Sequence, residues 1–265
     1  MPPKVIFENV KKCFKGRGPG EEVVAVEGID FQIREGEFFC LLGPSGCGKT
    51  TVLNLLAGFL PPSAGRITLD GELITAPGAD RGVIFQGEDS LFPWLTAEEN
   101  VAFGLKLRRL EKAERRRIAA EFLNLVGLKG QDHKYPRELS GGMKQRVQIA
   151  RVLANNPQML LMDEPFAALD AQTRRNMQDE LVRIWSATRK TVLFITHDIV
   201  ESILLADRIG LLCAGPASCI REVIPVEIPR PRDRTAAKFL EYYRVLNSLM
   251  EEEVNKYLAR TEENR

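Results

Sequence analysis

The chain has 265 residues, of which 44% are hydrophobic, so it is long enough to bury a substantial core in one large domain or two smaller ones. Its 37 Lys and Arg residues nearly balance its 36 Asp and Glu residues, and the net charge of +1 excludes an overall field that would attract nucleic acid or an anionic membrane. The five cysteines show no CxxC pairing and no zinc-site spacing with histidine, which predicts free thiols in a reducing cytosol.

The first third of the chain predicts β-strands. Residues 4–14, 23–33 and 37–42 are rich in Val, Ile and Phe, and turn residues at 16–20 separate the first two runs. The charged turn at residues 34–36 predicts a hairpin between the second and third strands. Met1 is followed by Pro-Pro-Lys, so we expect no signal peptide, and the chain has no run of about 20 apolar residues that could form a membrane helix.

A glycine-rich loop follows the third strand and leads into helical periodicity, which Pro61 and Pro62 end. The loop matches GxxxxGK[ST] with Gly43, Pro44, Ser45, Gly46, Cys47, Gly48, Lys49 and Thr50. Its glycines let successive backbone N–H groups point at one anion, and Lys49 adds a full charge for the β- and γ-phosphates. We predict that this loop and the adjacent Thr51 bind ATP, with the Thr50 hydroxyl on Mg²⁺ and Cys47 as a small filler.

The remaining chain alternates short apolar runs with helical patterns. Strands are expected at residues 65–70 and 82–85, and residues 96–155 are mostly helical in pattern. Apolar runs at 159–162, 191–196 and 209–213 fit a parallel sheet that is buried on both faces. The sequence therefore predicts an α/β fold.

Two acids, Asp163 and Glu164, follow the apolar run at 159–162. Asp163 is placed to hold Mg²⁺ through its water shell, and Glu164 to direct the water that attacks the γ-phosphate. An acid pair after a strand can also be a solvated turn, but the phosphate loop earlier in the chain favours the catalytic interpretation.

A serine-glycine-glycine sequence begins a helical pattern at residues 139–146, LSGGMKQR, and resembles the signature sequence of ATP-binding cassette (ABC) proteins. Ser-Gly-Gly is also an ordinary helix cap, but the order of the other motifs along the chain favours the signature sequence. Matching family positions are Phe14 for the aromatic that stacks on adenine, Gln86 for the lid glutamine with a catalytic and metal-binding role, Ala168-Leu169-Asp170 for the D-loop, and His197 for the switch histidine that touches the γ-phosphate.

The resemblance covers residues 4–215 and implies a RecA-like P-loop core with an antiparallel β subdomain and an inserted helical subdomain. It implies domain boundaries of 1–95 with 156–225 for the core, 96–155 for the helical subdomain and 226–265 for a C-terminal helical extension. It also implies a homodimer in which Ser140, Gly141 and Gly142 of one copy close on the ATP held by the other. Two departures are Phe14 in place of the commoner tyrosine and Met143 in place of the usual glutamine.

Three further features resemble the nitrate, taurine and alkanesulfonate importer branch: the PWLT segment at 93–96, Met143, and the basic segment at 230–234. That resemblance implies two transmembrane permease subunits, a periplasmic or lipid-anchored substrate-binding protein that acts indirectly, and a peripheral position on the cytoplasmic face of the bacterial inner membrane. The aromatic segment at 90–95 is interpreted as the permease contact, or else as an apolar joint between the two lobes. A soluble ABC-type ATPase without a permease is the alternative function.

Apolar residues recur every three or four positions near the C-terminus, after a proline-rich link. They are Phe239, Tyr243, Leu246, Met250, Val254 and Tyr257. This spacing predicts one amphipathic helix or two, which we expect to pack on the same chain rather than on a partner.

Overall fold

The computed structural model describes residues 3–16, 18, 21–87 and 90–263. It divides into two compact units, Met1–Gly78 with Thr191–Arg265, and Ala79–Lys190. The domain boundaries inferred from the family resemblance stay a prediction. Of the predicted turn at 16–20, three residues lie outside the described part of the chain.

The strands are β1 (Pro3–Lys15), β2 (Glu22–Arg34), β3 (Phe38–Leu42), β4 (Ala64–Leu69), β5 (Glu72–Leu73), β6 (Arg81–Ile84), β7 (Met159–Asp163), β8 (Thr191–Thr196), β9 (Arg208–Leu212) and β10 (Ile220–Pro225). The helices are α1 (Lys49–Ala57), α2 (Ala97–Leu107), α3 (Lys112–Leu125), α4 (Gly141–Ala154), α5 (Ala171–Thr188), α6 (Ile199–Leu205) and α7 (Ala237–Glu263), with a 3₁₀ turn at Pro136–Glu138. Each strand predicted from an apolar run is present within two residues of its expected bounds, and the α/β class is confirmed.

An antiparallel sheet in the first unit has the strand order β2-β1-β4-β5. Its apolar residues alternate with polar ones, as expected for a sheet with one covered face; Val5 and Phe7 of β1 and Ile29 and Ile33 of β2 are at most 2% exposed. The rings of Phe7 and Phe31 stack with centroids 4.4 Å apart. This sheet brings the strand that carries Phe14 beside β2.

A second set of strands in the same unit has the order β10-β9-β3-β8, with β3 parallel to β8 and β9. All five residues of β3 are buried, and the strand is hydrogen-bonded to a neighbour on each edge. The hairpin predicted at residues 34–36 is therefore wrong: β2 pairs with β1, whereas β3 enters the parallel group. A short charged turn is compatible with either path, and the continuous apolar run of β3 favours burial on both faces.

The second unit contains the parallel pair β6 and β7 and the helices α2 to α5. The N-terminus of α2 is closed by a capping box, in which the Thr96 side chain accepts from the Glu99 backbone and the Glu99 carboxylate accepts from the Thr96 backbone. Ser140 caps α4, and Asp170 caps α5. The mostly helical pattern predicted for residues 96–155 is confirmed.

The C-terminal pattern forms one continuous helix, α7, that packs on its own unit by a narrower face than predicted. Phe239 and Leu246 are buried at 2% and 0% exposure. Tyr243, Val254 and Tyr257 belong to the same predicted stripe but are more than a third exposed. No helix in the described part of the chain combines the length and apolar character needed to span a bilayer.

Arg232 connects the proline-rich link to the C-terminal end of α6. Its side chain is 8% exposed, and its guanidinium donates to the carbonyl oxygens of Ile203, Leu204 and Ala206. The last carbonyls of a helix have no partner within the helix, so this arginine satisfies groups that burial would otherwise leave unpaired. Burial lowers the pKa of Arg232 to about 10, which leaves the side chain charged at neutral pH.

We expect Arg232→Met to lower the free energy of unfolding by about 3 kcal/mol, because several buried carbonyls lose a charged donor at once. Urea denaturation measures the loss. Arg244→Met, at an exposed position of α7, is the matched control and should change the unfolding free energy by less than about 0.5 kcal/mol. Equal effects of the two substitutions would show that Arg232 does not hold the end of α6.

Candidate functional site

The predicted phosphate loop connects the buried strand β3 to the N-terminus of α1. Gly46 and Gly48 adopt φ of 81° and 89°, a region that favours glycine. A Cβ on Gly48 would lie 2.7 Å from Val26 Cγ1 and 3.2 Å from the Ala25 oxygen, so the loop also lies against β2. Only glycine fits both the backbone angle and the space at this position.

Lys49 begins α1 and folds back over the loop. Its side chain is 5% exposed, and its Nζ donates 2.8 Å bonds to the carbonyl oxygens of Gly43 and Pro44. The ammonium group is thus held against the first two residues of the loop. Thr50 follows it as an exposed residue at the helix N-terminus.

Cys47 lies inside the loop with 0% exposure. Burial raises the pKa of its thiol, so the sulfur stays protonated and is a poor nucleophile at neutral pH. A Cβ on Gly43 would lie 2.8 Å from Cys47 Sγ. These contacts agree with the interpretation of Cys47 as a filler.

His197 leaves the same sheet edge as the loop. In the parallel pair of β3 and β8, Leu42 is opposite Thr196, so the next residues, Gly43 and His197, both emerge at the carboxyl end of the strands. His197 is exposed. Asp198 caps the helix that follows, since its Oδ1 accepts bonds of 2.8 and 3.1 Å from the backbone of Val200 and Glu201.

Phe14 lies near the end of β1, opposite Val23 of β2. Its ring is 39% exposed, and Lys12 Nζ lies 5.3 Å from the ring centroid. An exposed ring beside a cation suits stacking on the base of a nucleotide, since the phosphates of a nucleotide carry the opposite charge to the cation.

The acid pair terminates β7 in the second unit. Asp163 is buried at 9% exposure, whereas Glu164 is partly exposed and has a φ of 41°. A positive φ is unfavourable for glutamate and persists only where the surroundings fix it. Here Phe166, 1% exposed, anchors the next turn, and the Ala167 N–H donates to the Glu164 oxygen.

Gln86 emerges beside the acid pair. Ile84 of β6 is opposite Met162 of β7, so two residues further along each chain Gln86 and Glu164 leave the same edge. Gln86 is exposed. The backbone oxygen of the next residue, Gly87, accepts a 3.0 Å bond from Gln148 of α4, which positions this segment.

The predicted signature residues lie at the N-terminus of α4, against α5. Ser140 Oγ accepts a 3.4 Å bond from the Met143 backbone, so Ser140 is a helix cap. A Cβ on Gly142 would lie 2.9 Å from Thr173 Cγ2. Thr173 is in turn held by Asp170, whose Oδ1 accepts from its backbone at 3.0 Å. The signature and the residue predicted for the D-loop therefore meet within one unit.

Hydrogen bonds to the Thr173 side chain and backbone lower the pKa of the Asp170 carboxyl. Asp170 thus caps α5 as a carboxylate at neutral pH, and its stabilising contribution is lost only as the pH falls through its lowered pKa.

The segment predicted to bind a permease contains one anchored and one exposed aromatic ring. Phe92 packs 4.5 Å from Phe103 of α2, centroid to centroid, and under Arg151 of α4. Trp94 is 70% exposed and lines a cavity of about 460 Å³ beside α2 and α3.

Sequence reasoning missed Asn100, which holds this segment in place. Asn100 is fully buried, and its Nδ2 donates to the carbonyl oxygens of Phe92, Leu95 and Thr96 at 3.0–3.1 Å. Its Oδ1 accepts a 2.8 Å bond from the Phe92 backbone. An asparagine at an apolar position of the helical pattern was the available signal, because a buried amide requires partners.

A sequence model of the family described as ABC transporter matches residues 26–167. Three relatives illustrate the similarity. The uncharacterized ABC transporter ATP-binding protein MJ0412 of Methanocaldococcus jannaschii is 48% identical over 258 residues, 97% of this chain and 95% of that protein. The bicarbonate transport ATP-binding protein CmpC of Synechococcus elongatus is 52% identical over 87% of this chain, which spans 35% of CmpC. The nitrate import ATP-binding protein NrtD of the same species is 48% identical, with 87% of this chain and 84% of NrtD covered.

Solved structures that resemble this chain include ATP-binding cassettes. A dimeric post-hydrolysis state of the ATP-binding cassette MJ0796, bound to ADP and Pi, has a TM-score of 0.71 and 33% identity, with 85% of this chain and 100% of that chain covered. The protein cbiO1 from Clostridium perfringens, part of the ABC transporter complex cbiONQ, has a TM-score of 0.75 and 27% identity, with 85% and 89% covered.

We expect Gly48→Ala to lower the free energy of unfolding by about 3 kcal/mol, because the new methyl group meets Val26 in addition to the unfavourable φ. Gly46→Ala is the matched control. Its φ is also positive, but no atom of the described residues lies within 4 Å of the added Cβ, so we expect a loss of about 1 kcal/mol. Chemical denaturation of both variants measures the difference, and equal losses would contradict the close contact of the loop with β2.

Proposed function

The chain belongs to the ABC transporter family and is an ATP-hydrolysing subunit of that family, and from this premise we propose that it drives the import of a small anion through a membrane permease. The observation that carries the catalytic part is the shared edge of β3 and β8, where the phosphate loop and His197 emerge together. Relatives described as bicarbonate and nitrate transport proteins support the solute class.

The phosphate loop is proposed to bind the triphosphate of ATP through its backbone N–H groups and Lys49. Neither α1 nor α4, both within the described residues, has an acidic residue in its first turn, whereas α2 has Glu98 and Glu99. The positive ends of α1 and α4 are thus available to an anion, while that of α2 is already neutralised. Phe14 is proposed to stack on the adenine.

The donor set fits a nucleotide-bound Mg²⁺. No cluster of three or more His, Cys, Asp or Glu residues in the described part of the chain could hold a metal alone. Mg²⁺ that is bound with ATP takes only one or two protein carboxylates, and phosphate oxygens, water and other oxygen groups complete its shell. We assign the Thr50 hydroxyl, the Asp163 carboxylate and the Gln86 side chain to it; Mg²⁺ supplies charge neutralisation during phosphoryl transfer.

Glu164 is proposed to orient the attacking water and to accept its proton. Its positive φ shows that the surroundings constrain the backbone of Glu164 at the end of β7. His197 is proposed to contact the γ-phosphate and Gln86 to position the water. These roles rest on the family motifs and on the two strand edges from which the three side chains emerge.

Two copies are proposed to bind ATP between them. The phosphate loop of one copy occupies one side of the triphosphate, and the α4 N-terminus with Ser140, Gly141 and Gly142 of the second copy closes the other. ATP then stabilises the closed pair, because it binds the closed state more tightly than the open one. Hydrolysis removes the bridging contacts, and the pair reopens.

The permease is proposed to dock on the cytoplasmic side at the surface around Trp94. The anchored Phe92 and the buried Asn100 fix the segment, so the exposed indole of Trp94 is presented without a large loss of conformational entropy. The neighbouring cavity is lined by both acidic and basic side chains, among them Glu98, Lys106 and Arg115. This mixture suits a polar helix end of a membrane protein. A substrate-binding protein is proposed to act through the permease.

We expect Glu164→Gln to lower ATP turnover by about 10²- to 10⁴-fold, because the general base is lost while ATP binding is retained. With Mg²⁺ and ATP the variant should elute as a stable dimer in size-exclusion chromatography with light scattering. Glu72→Gln, on the exposed edge strand β5, is the control and should turn over at the wild-type rate. Fast turnover by the Glu164 variant would reject this residue as the base.

We expect Trp94→Ala to lose co-purification with its permease from solubilised membranes and to lose stimulation of ATPase by the solute-loaded binding protein, since the exposed anchor is removed. Leu73→Ala, at a residue 56% exposed on β5, is the matched control and should retain both. Unchanged binding by the Trp94 variant contradicts the docking surface. Failure of the wild-type chain to bring any membrane protein favours the soluble ATPase instead.

A further inference from the structure

Cys213 and Cys219, which are six positions apart in the sequence, lie opposite each other in the structure. In the antiparallel pair of β9 and β10, Leu212 is opposite Ile220, so the next pair outward is Cys213 with Cys219. The Cys213 N–H donates a 2.9 Å bond to the Cys219 oxygen. Directly opposed residues of antiparallel strands have Cα atoms about 4.5–5.5 Å apart, within the range of disulfides.

The two thiols are in contact and open to small molecules. Burial, together with a hydrogen bond between the Cys213 and Cys219 side chains, raises the pKa of Cys219 to about 11. Both residues are only half-buried. They line a cavity of about 300 Å³ together with Arg221, Glu253 and Tyr257. A thiol reagent of modest size therefore has a path to the pair.

One side of this pair touches the beginning of the phosphate loop. Leu212, which precedes Cys213, packs closely against Gly43: a Cβ added to Gly43 would lie 3.1 Å from the Cβ of Leu212. The same added Cβ would lie 2.8 Å from Cys47 Sγ. A shift of the β9 end is thus passed directly to the first glycine of the loop.

The other side of the pair is connected to the end of the loop. Ser218, which precedes Cys219, forms a β-bridge with Val26 of β2, and its oxygen accepts a 2.9 Å bond from Glu27. Val26 is the residue whose Cγ1 lies 2.7 Å from a Cβ built on Gly48. Ser218 Oγ also donates a 2.7 Å bond to the Cys213 oxygen. The turn between the two cysteines is therefore hydrogen-bonded both to β2 and to Cys213 at the end of β9.

We propose that Cys213 and Cys219 are a dithiol modification site that closes to a disulfide on reaction with a low-molecular-weight disulfide and thereby weakens nucleotide binding at the phosphate loop. The second half of this proposal rests on the proposed function. The first half concerns only the two thiols and their contact.

The reaction is a thiol–disulfide exchange with RSSR as the oxidant. Either thiol of the pair can begin the reaction; in one order Cys213 loses a proton and attacks one sulfur of RSSR, which releases the first RS⁻. Cys219 then loses its proton, attacks the Cys213 sulfur and displaces the second RS⁻. The two RS⁻ take up the two protons as RSH. The protein loses two electrons and RSSR gains them.

Closure shortens the distance between the sulfurs from non-bonded contact to about 2.05 Å. Leu212, next to Cys213, packs against Gly43 of the loop, and Ser218, next to Cys219, pairs with Val26, which packs against Gly48. We therefore expect movement of the two cysteines to displace the loop. Displacement of a positioned group by about 1 Å weakens its interactions strongly. We expect the dissociation constant for ATP to rise by about tenfold on oxidation.

The test uses the full chain, incubated with oxidised glutathione or with dithiothreitol. Proteolysis under non-reducing conditions and mass spectrometry should find a peptide that links Cys213 to Cys219, and dithiothreitol should release it. Titration with a fluorescent ATP analogue should give about tenfold weaker binding for the oxidised form, with full recovery on reduction. Cys213→Ser and Cys219→Ser should each bind the analogue with the same affinity under both conditions.

Cys13→Ser, at a half-buried cysteine on β1, is the matched control and should keep the redox response. The proposal is overturned if oxidised wild type carries only glutathione adducts or free thiols at these positions. It is equally overturned if the linked peptide forms and ATP affinity stays the same. Failure of the proposed function is distinguishable from both, because the reduced wild-type chain would then bind no ATP.

Discussion

Parallel pairing of β3 with β8 is the constraint on which the first unit depends. β3 has a strand on each side and no exposed residue, so its direction and register are fixed by backbone bonds and by apolar burial together. Since the carboxyl ends of parallel strands lie at the same edge of a sheet, the pairing of β3 with β8 alone places the phosphate loop and His197 at one edge. In the second unit, β6 and β7 repeat the arrangement for Gln86 and Glu164. Ligand sites at the carboxyl ends of parallel strands are common for this reason.

The architecture also assigns different tasks to different helix ends. The first turns of α1 and α4 contain no acidic residue, so no carboxylate of the first turn offsets the positive potential at their N-termini. The capping box of α2 neutralises its own N-terminus and so makes it a structural support for the Trp94 segment. At the opposite end of α6, Arg232 supplies the donors that the terminal carbonyls lack.

The sequence predicted the strands, the glycine-rich loop between β3 and α1 and the helical pattern of residues 96–155, because each rests on local chemistry: apolar runs, positive-φ glycines and capping residues. It failed where long-range pairing decides. The turn at 34–36 has the residues of a hairpin, but β3 finds partners about 150 residues later in the chain. Tyr243 and Val254 fit a helical stripe, yet only part of that stripe faces the unit. Cys213 and Cys219 show no recognised spacing, and only the register of β9 and β10 brings them together.

The missing Cβ at Gly142 has a mechanical consequence. It lets α4 approach α5 until the glycine meets Thr173, the residue that Asp170 caps. The N-termini of α4 and α5 are therefore in direct contact, between the Gly142 backbone and the Thr173 side chain. Because packed protein interiors transmit strain, we expect a displacement of the N-terminus of α4 to displace the N-terminus of α5 as well, so that the two move as one unit.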